Sequence, residues 1–158
     1  MKEKIIVELL DREFEKLHKR SSDLIIKVPE PKLYWQPKNA FFPYNSCGEC
    51  ILRSAGAVEQ AFGGVTTRLW DDPFEWTLPE ALPTKQAVLK YLAEVDETRK
   101  KGFSFLISDE DLKKQIPAPQ KLRPIFEILM EALIRAQYFQ GMASAIFHLI
   151  SDEKLPRP

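Results

Sequence analysis

Residues 125–149 constrain the fold most. Ile125, Ile128, Ala132, Arg135, Phe139, Met142, Ile146 and Leu149 recur in alternating steps of three and four, the 3.5-residue repeat with which helices pack into bundles. An apolar stripe that long has to be covered by partner helices. Pro124 stands at its start, a favoured place for proline in a first helical turn, and the helix is expected to run to about Ile150. One member of the stripe is charged. Arg135 therefore needs an explanation.

Three earlier segments supply the partners. Ile6, Leu10, Phe14, Leu17, Ser21 and Leu24 mark an amphipathic helix over roughly 2–26, stopped by Pro29 and Pro31. Ser46-Cys47-Gly48-Glu49 has the form of a capping box, so a second helix is expected from there to about Ala61 or Leu69. Thr84 can cap a third, with Val88, Leu92 and Val95 inward and Lys90, Glu94, Glu97 and Lys101 outward. Ser108-Asp109-Glu110-Asp111 opens a short further segment, closed by Pro117 and Pro119. No segment alternates with period two. The expectation is an all-α, up-and-down four-helix bundle, a single domain over 1–158.

Two long connections interrupt it. Val28 to Asn45 holds four prolines and the aromatics Tyr34, Trp35, Phe41, Phe42 and Tyr44, and is expected to be an ordered loop packed on the body. Residues 70–83, rich in Asp, Pro and Trp, form the second. The acidic runs Asp71-Asp72 with Glu75 and Asp109-Glu110-Asp111 lack the ligand alternation of a calcium loop. They read as turns and helix caps.

Composition excludes several function classes. The 158 residues carry 23 basic and 23 acidic side chains, a balance that argues against a general nucleic-acid binder. No window reaches the roughly 18 apolar residues needed to span a bilayer. The first residues are too acidic and too broken for a signal peptide, so a cytoplasmic location with free thiols is expected.

Few residues remain for chemistry. Cys47-Gly48-Glu49-Cys50 is a C-x-x-C at a helix start, where a redox dithiol would gain from the helix dipole. A zinc site would need two further ligands, and burial as small apolar fillers is the third reading. His18 lies one position off its stripe, as a surface histidine. His148 suits the negative end of the last helix. Arg53, spaced three after Cys50 and four before Ala57, faces the same interior as Arg135. The two could hold a carboxylate or phosphate, or pair internally with Glu13, Asp96 or Glu131, or reach solvent at a bundle end.

These motifs, in this order, resemble the DinB/YfiT-like superfamily. Leu33-Tyr34-Trp35-Gln36-Pro37 followed by Ser46-Cys47-Gly48-Glu49 is similar to its W-x-P … W-S-I-G-E segment. Asp71 to Trp76, Pro79-Glu80 and Thr84-Lys85-Gln86 are similar to the loop before its third helix. Ser108 to Leu112 looks like its t-d-e-d-L segment, and Tyr138-Phe139-Gln140-Gly141-Met142 like part of its H-x-x-x-H-x-G-Q helix. The resemblance implies a four-helix bundle, often dimeric, with a divalent metal on three histidines. It implies thiol-dependent transferase or isomerase chemistry where that site is intact. Here the three ligand positions fall on Arg53, Arg135 and Phe139, and none offers a lone pair to a metal. The chain then reads as a degenerate member with no metal and no cofactor. Its expected role is a non-catalytic small-anion-binding or protein-interaction bundle, with Arg53, Arg135 and Phe139 lining a central pocket closed by aromatics of residues 33–44. The alternative is a thiol-dependent transferase-like enzyme using Cys47 or Cys50. A homodimer is the partner the resemblance implies.

Overall fold

The computed structural model describes residues 2–38 and 46–157. Four helices dominate: α1 (Ile5–Lys27), α2 (Cys47–Thr67), α3 (Lys85–Ser104) and α4 (Ile125–Ile150). A two-stranded antiparallel hairpin, β1 (Gln115–Ala118) and β2 (Lys121–Pro124), precedes α4. The sequence reading missed this hairpin. Its strands have four residues each, and only Ile116 and Ala118 of β1 are buried, so period-two alternation has too little length to register.

Each helix forms for a local reason. The Ser46 hydroxyl accepts the Glu49 amide at 3.2 Å to cap α2, and the Thr84 hydroxyl accepts the Ala87 amide at 3.1 Å to cap α3. Before α1, Lys4 caps nothing with its side chain. Asp109 does so from across the bundle: its carboxylate accepts the Ile6 and Val7 amides at 3.0 Å, satisfying donors a helix start leaves unpaired. Of the two ends expected for α2, the later is nearer: the helix continues past Ala61 through Gly63 and Gly64 to Thr67. Gly64 is small because the Trp70 indole sits where a Cβ would be.

The helices form a ring in which α1 touches α3 and α4, and α2 touches α3 and α4. Arg99 meeting Asp11, with His18 beside Asp96, makes α1 and α3 antiparallel. Cys47 against Ala143 and Ser54 against Ala136 make α2 and α4 antiparallel. Gln140 meets Leu17 and Ser21 while α1 and α4 both end near Lys154, so these two run the same way. It follows that α2 and α3 are also parallel, and strict up-and-down alternation does not hold. The connection from 68 to 84 must climb back along α2. It does: Trp70 lies on Gly64, Pro73 on Gly56 and Phe74 against Arg53.

The core is continuous from Val7 through Phe147. Phe14, Phe62 and Phe103 interlock at its centre, with ring centroids 5.2–5.8 Å apart. Gly102 leaves room for the Phe62 ring. In α1 the stripe begins at buried Val7, while Ile6 is exposed. In α4 the expected seam holds at Ile125, Ile128, Ala132 and Ile146, is only half-buried at Phe139 and Met142, and fails at two positions. Ala136, Gln140, Ala143 and Phe147 are buried, whereas Arg135 and Leu149 are exposed. The helix keeps its own 3.6-residue period rather than 3.5, and this moves Arg135 off the core to its flank.

Candidate functional site

The buried arginine of this bundle is Arg99, which the sequence reading did not single out. It is 4% exposed, donates to Asp96 at 3.0 Å through Nε, and reaches the Asp11 carboxylate with its outer nitrogen. Lys100 adds a contact to Asp96 at 3.2 Å. Burial opposes ionisation of Asp96, but His18, Arg99 and Lys100 outweigh it and hold the carboxyl below its ordinary range. His18 is half-buried rather than a free surface histidine, 3.9 Å from Asp96. Burial lowers its pKa, with Arg99 and Lys100 adding to the effect against the pull of Asp96.

This network uses one of the acids that could have met Arg53 and Arg135. The other two are also engaged: Glu13 with Lys16 at 2.8 Å, and Glu131 with Arg123. Among the described residues, neither Arg53 nor Arg135 has an acidic partner within salt-bridge range. The internal ion pair considered for them is absent there.

Their surroundings are otherwise well built. Arg53 lies half-buried on α2, its guanidinium 4.8 Å from the Phe74 ring centroid and 5.8 Å from that of Phe139. A planar cation held between two aromatic rings is stabilised without an acid. Phe139 is one turn after Arg135 on α4, and Ala57 is one turn after Arg53 on α2. Ala57 and Arg135 line one groove of about 180 Å³, with Ala61 and Ala132 also in its lining and Trp70 as an aromatic wall. Arg123 and Glu131 stand at the same groove, already paired with each other. Arg53 and Phe139 meet across the α2–α4 seam, but of the three expected lining residues only Arg135 lines the groove. The small side chains of α2 and α4 and the returning connection create the groove.

The aromatics that border it differ from those expected. Tyr34 packs on Gly48 and donates its hydroxyl hydrogen to the Leu82 carbonyl, and Trp35 takes the Lys32 ammonium 5.4 Å from its ring. Phe41, Phe42 and Tyr44 lie outside the described residues. Phe74 and Trp70 come instead from the second connection, which the sequence marked as a long loop rich in Asp, Pro and Trp but not as part of the site. Asp72 does cap the short turn Pro73–Glu75, accepting the Phe74 amide at 3.0 Å.

Cys47 and Cys50 are both free and fully buried. The Cys47 thiol faces the Ala143 carbonyl at 3.3 Å. Burial pushes it up to about 12, with Cys50 adding to the effect. Burial also pushes Cys50 up to about 11, against the opposing Arg53 charge. Neither is a thiolate near neutral pH. Among the described residues no three His, Cys, Asp or Glu side chains come together as a metal-binding group. The donor set at Arg53, Arg135 and Phe139 does not fit a metal, since guanidinium and phenyl groups give it no lone pair. Also among the described residues, no helix is long and apolar enough to cross a membrane. Comparison of the chain with models of known families, with curated proteins and with solved structures finds no match.

Proposed function

We propose that this chain is a DinB/YfiT-like bundle in which a small-anion site replaces the superfamily's metal centre, and that it binds rather than catalyses. The observation that carries this reading is that neither guanidinium of the α2–α4 seam, Arg53 or Arg135, forms an ion pair among the described residues, the nearby Glu131 being held by Arg123. A carboxylate entering the groove meets Arg135, and a flat apolar body fits against Trp70 and the alanines. Fork-like hydrogen bonding to a carboxylate is what arginine does best. The thiol-dependent alternative draws no support from the cysteines, which are buried and protonated.

Titration with a simple aromatic carboxylate, benzoate, tests the reading by calorimetry at low ionic strength. Saturable binding is expected, weakened about tenfold or more by Arg135→Met, since losing a charged hydrogen-bond partner costs about 1.5–3 kcal/mol. Heats no different from those of chloride, with wild type and Arg135→Met alike, would remove the proposal. The homodimer belongs to the same reading. Ile134, Tyr138 and Leu149 are exposed on the outer side of α4, an apolar surface of the kind subunit contacts use. Sedimentation velocity is expected to give a dimer, and Tyr138→Lys to weaken it. A monomer at all concentrations contradicts that part.

A further inference from the structure

A second cavity, of about 330 Å³, lies between α1, α4 and the segment after α4, away from the seam described above. Its charges are all of one sign. Arg20 comes from α1 and Arg157 from the tail, with the His148 imidazole of α4 beside them, and among the described residues no acidic side chain lines it. Neither arginine has an ion-pair partner among the described residues. The tail that brings Arg157 is tied down, since Lys27 donates to the Lys154 carbonyl at 3.0 Å and Leu155 packs on the core.

The floor adds two independent observations. Gln140 is 5% exposed, and its amide nitrogen donates to the Leu17 carbonyl and the Ser21 hydroxyl at 2.8 Å each. With the nitrogen so engaged, the side chain's orientation is fixed, and its amide oxygen has no partner among the described residues. Gly141 lies beside it, and a Cβ added there would meet nothing within 4 Å. Gly48, Gly64 and Gly102 each yield space to an aromatic ring of the chain itself. Gly141 yields space to no group among the described residues, although glycine inside a helix costs about 1 kcal/mol relative to alanine. It leaves the cavity floor open.

We infer that this cavity binds a small hydroxylated phosphomonoester. Two guanidiniums and an imidazole converging from three elements suit a phosphate dianion better than a single carboxylate charge. The neutral imidazole of His148 still keeps one N–H to donate. The Gln140 oxygen, an acceptor among donors, takes a ligand hydroxyl. Gly141 lets the ligand lie close to the helix backbone. Cavities of this size enclose small organic ligands.

The test is a ¹⁵N-NMR titration with glycerol 3-phosphate, beside inorganic phosphate and sodium chloride at matched ionic strength. Saturable shifts are expected around Gly141 and Ser144, with glycerol 3-phosphate binding more tightly than phosphate. Arg20→Gln and Arg157→Gln should each weaken binding about tenfold and leave the spectrum folded. Gly141→Leu should raise or maintain the melting temperature and abolish binding. Shifts equal to those of chloride, or an affinity unchanged in both arginine variants or in Gly141→Leu, overturn the inference. Arg135→Met should leave this affinity intact, which separates this site from the α2–α4 seam.

Discussion

A guanidinium inside a helical bundle needs acids or aromatic faces around it, and Arg99 has two acids. Arg53 and Arg135 form no ion pair among the described residues, yet one lies against two rings and the other stands exposed at a groove edge, where water screens it. That difference, between a charge the fold satisfies and charges it leaves available, is what separates structure from candidate site here. The same network makes His18 a pH probe. Its folded pKa lies below the free value of 6.5 because burial disfavours the imidazolium. The unfolded chain therefore takes up the proton first, and stability is lost as pH falls from 6.5 through the folded value. Urea denaturation across pH 7.5 to 5 is expected to show this slope, and His18→Gln to flatten it. An unchanged slope in the variant contradicts the assignment. At the cysteines, burial predicts no reaction with a thiol reagent at neutral pH until the protein unfolds. Rapid labelling of either thiol in the native state contradicts this.

At the scale of elements, much was readable because local chemistry settled it. Ser46 and Thr84 mark their helix starts by sequence alone, as do the proline breaks after α1 and before α4. What could not be read was whatever depends on a distant partner. Asp109 caps α1 across about a hundred residues of chain, and no local pattern announces it. Asp109→Ala is expected to cost about 1–2 kcal/mol in a denaturation experiment, the usual loss on removing a helix cap, with hydrogen exchange accelerated in the first turn of α1. A change of less than about 0.3 kcal/mol is ordinary for a surface site and would contradict the role. The α4 stripe is the instructive case. Steps of three and four fit both a 3.5 and a 3.6 period over four turns, and only packing decides between them. That choice placed Ala136 and Gln140 in the core and moved Arg135 to the flank.

On the scale of the whole molecule, the parallel course of α2 and α3 determines the site. Because α3 begins at the end where α2 began, the connection from 68 to 84 has to run the length of the bundle, and it brings Trp70 and Phe74 to the α2–α4 seam. The sequence set Arg53 and Phe139 on helices that meet, though Arg135 alone of the three lines the groove. It could not show which connection would supply the aromatics, because the ring order of the helices depends on contacts between segments far apart in the chain. Net charge is zero over the chain, yet both cavities discussed present unpaired arginines. Local imbalance of this kind leaves no trace in composition.

The central claim is that the seam between α2 and α4 receives an anion. ¹⁵N-NMR mapping with benzoate tests it most directly, with Arg53→Met and Arg135→Met as comparisons. Saturable shifts confined to Ala57, Ala61, Trp70, Ala132 and their neighbours are predicted, reduced in both variants while their spectra remain folded. Shifts absent from that seam, or equal in wild type and both variants, contradict the claim.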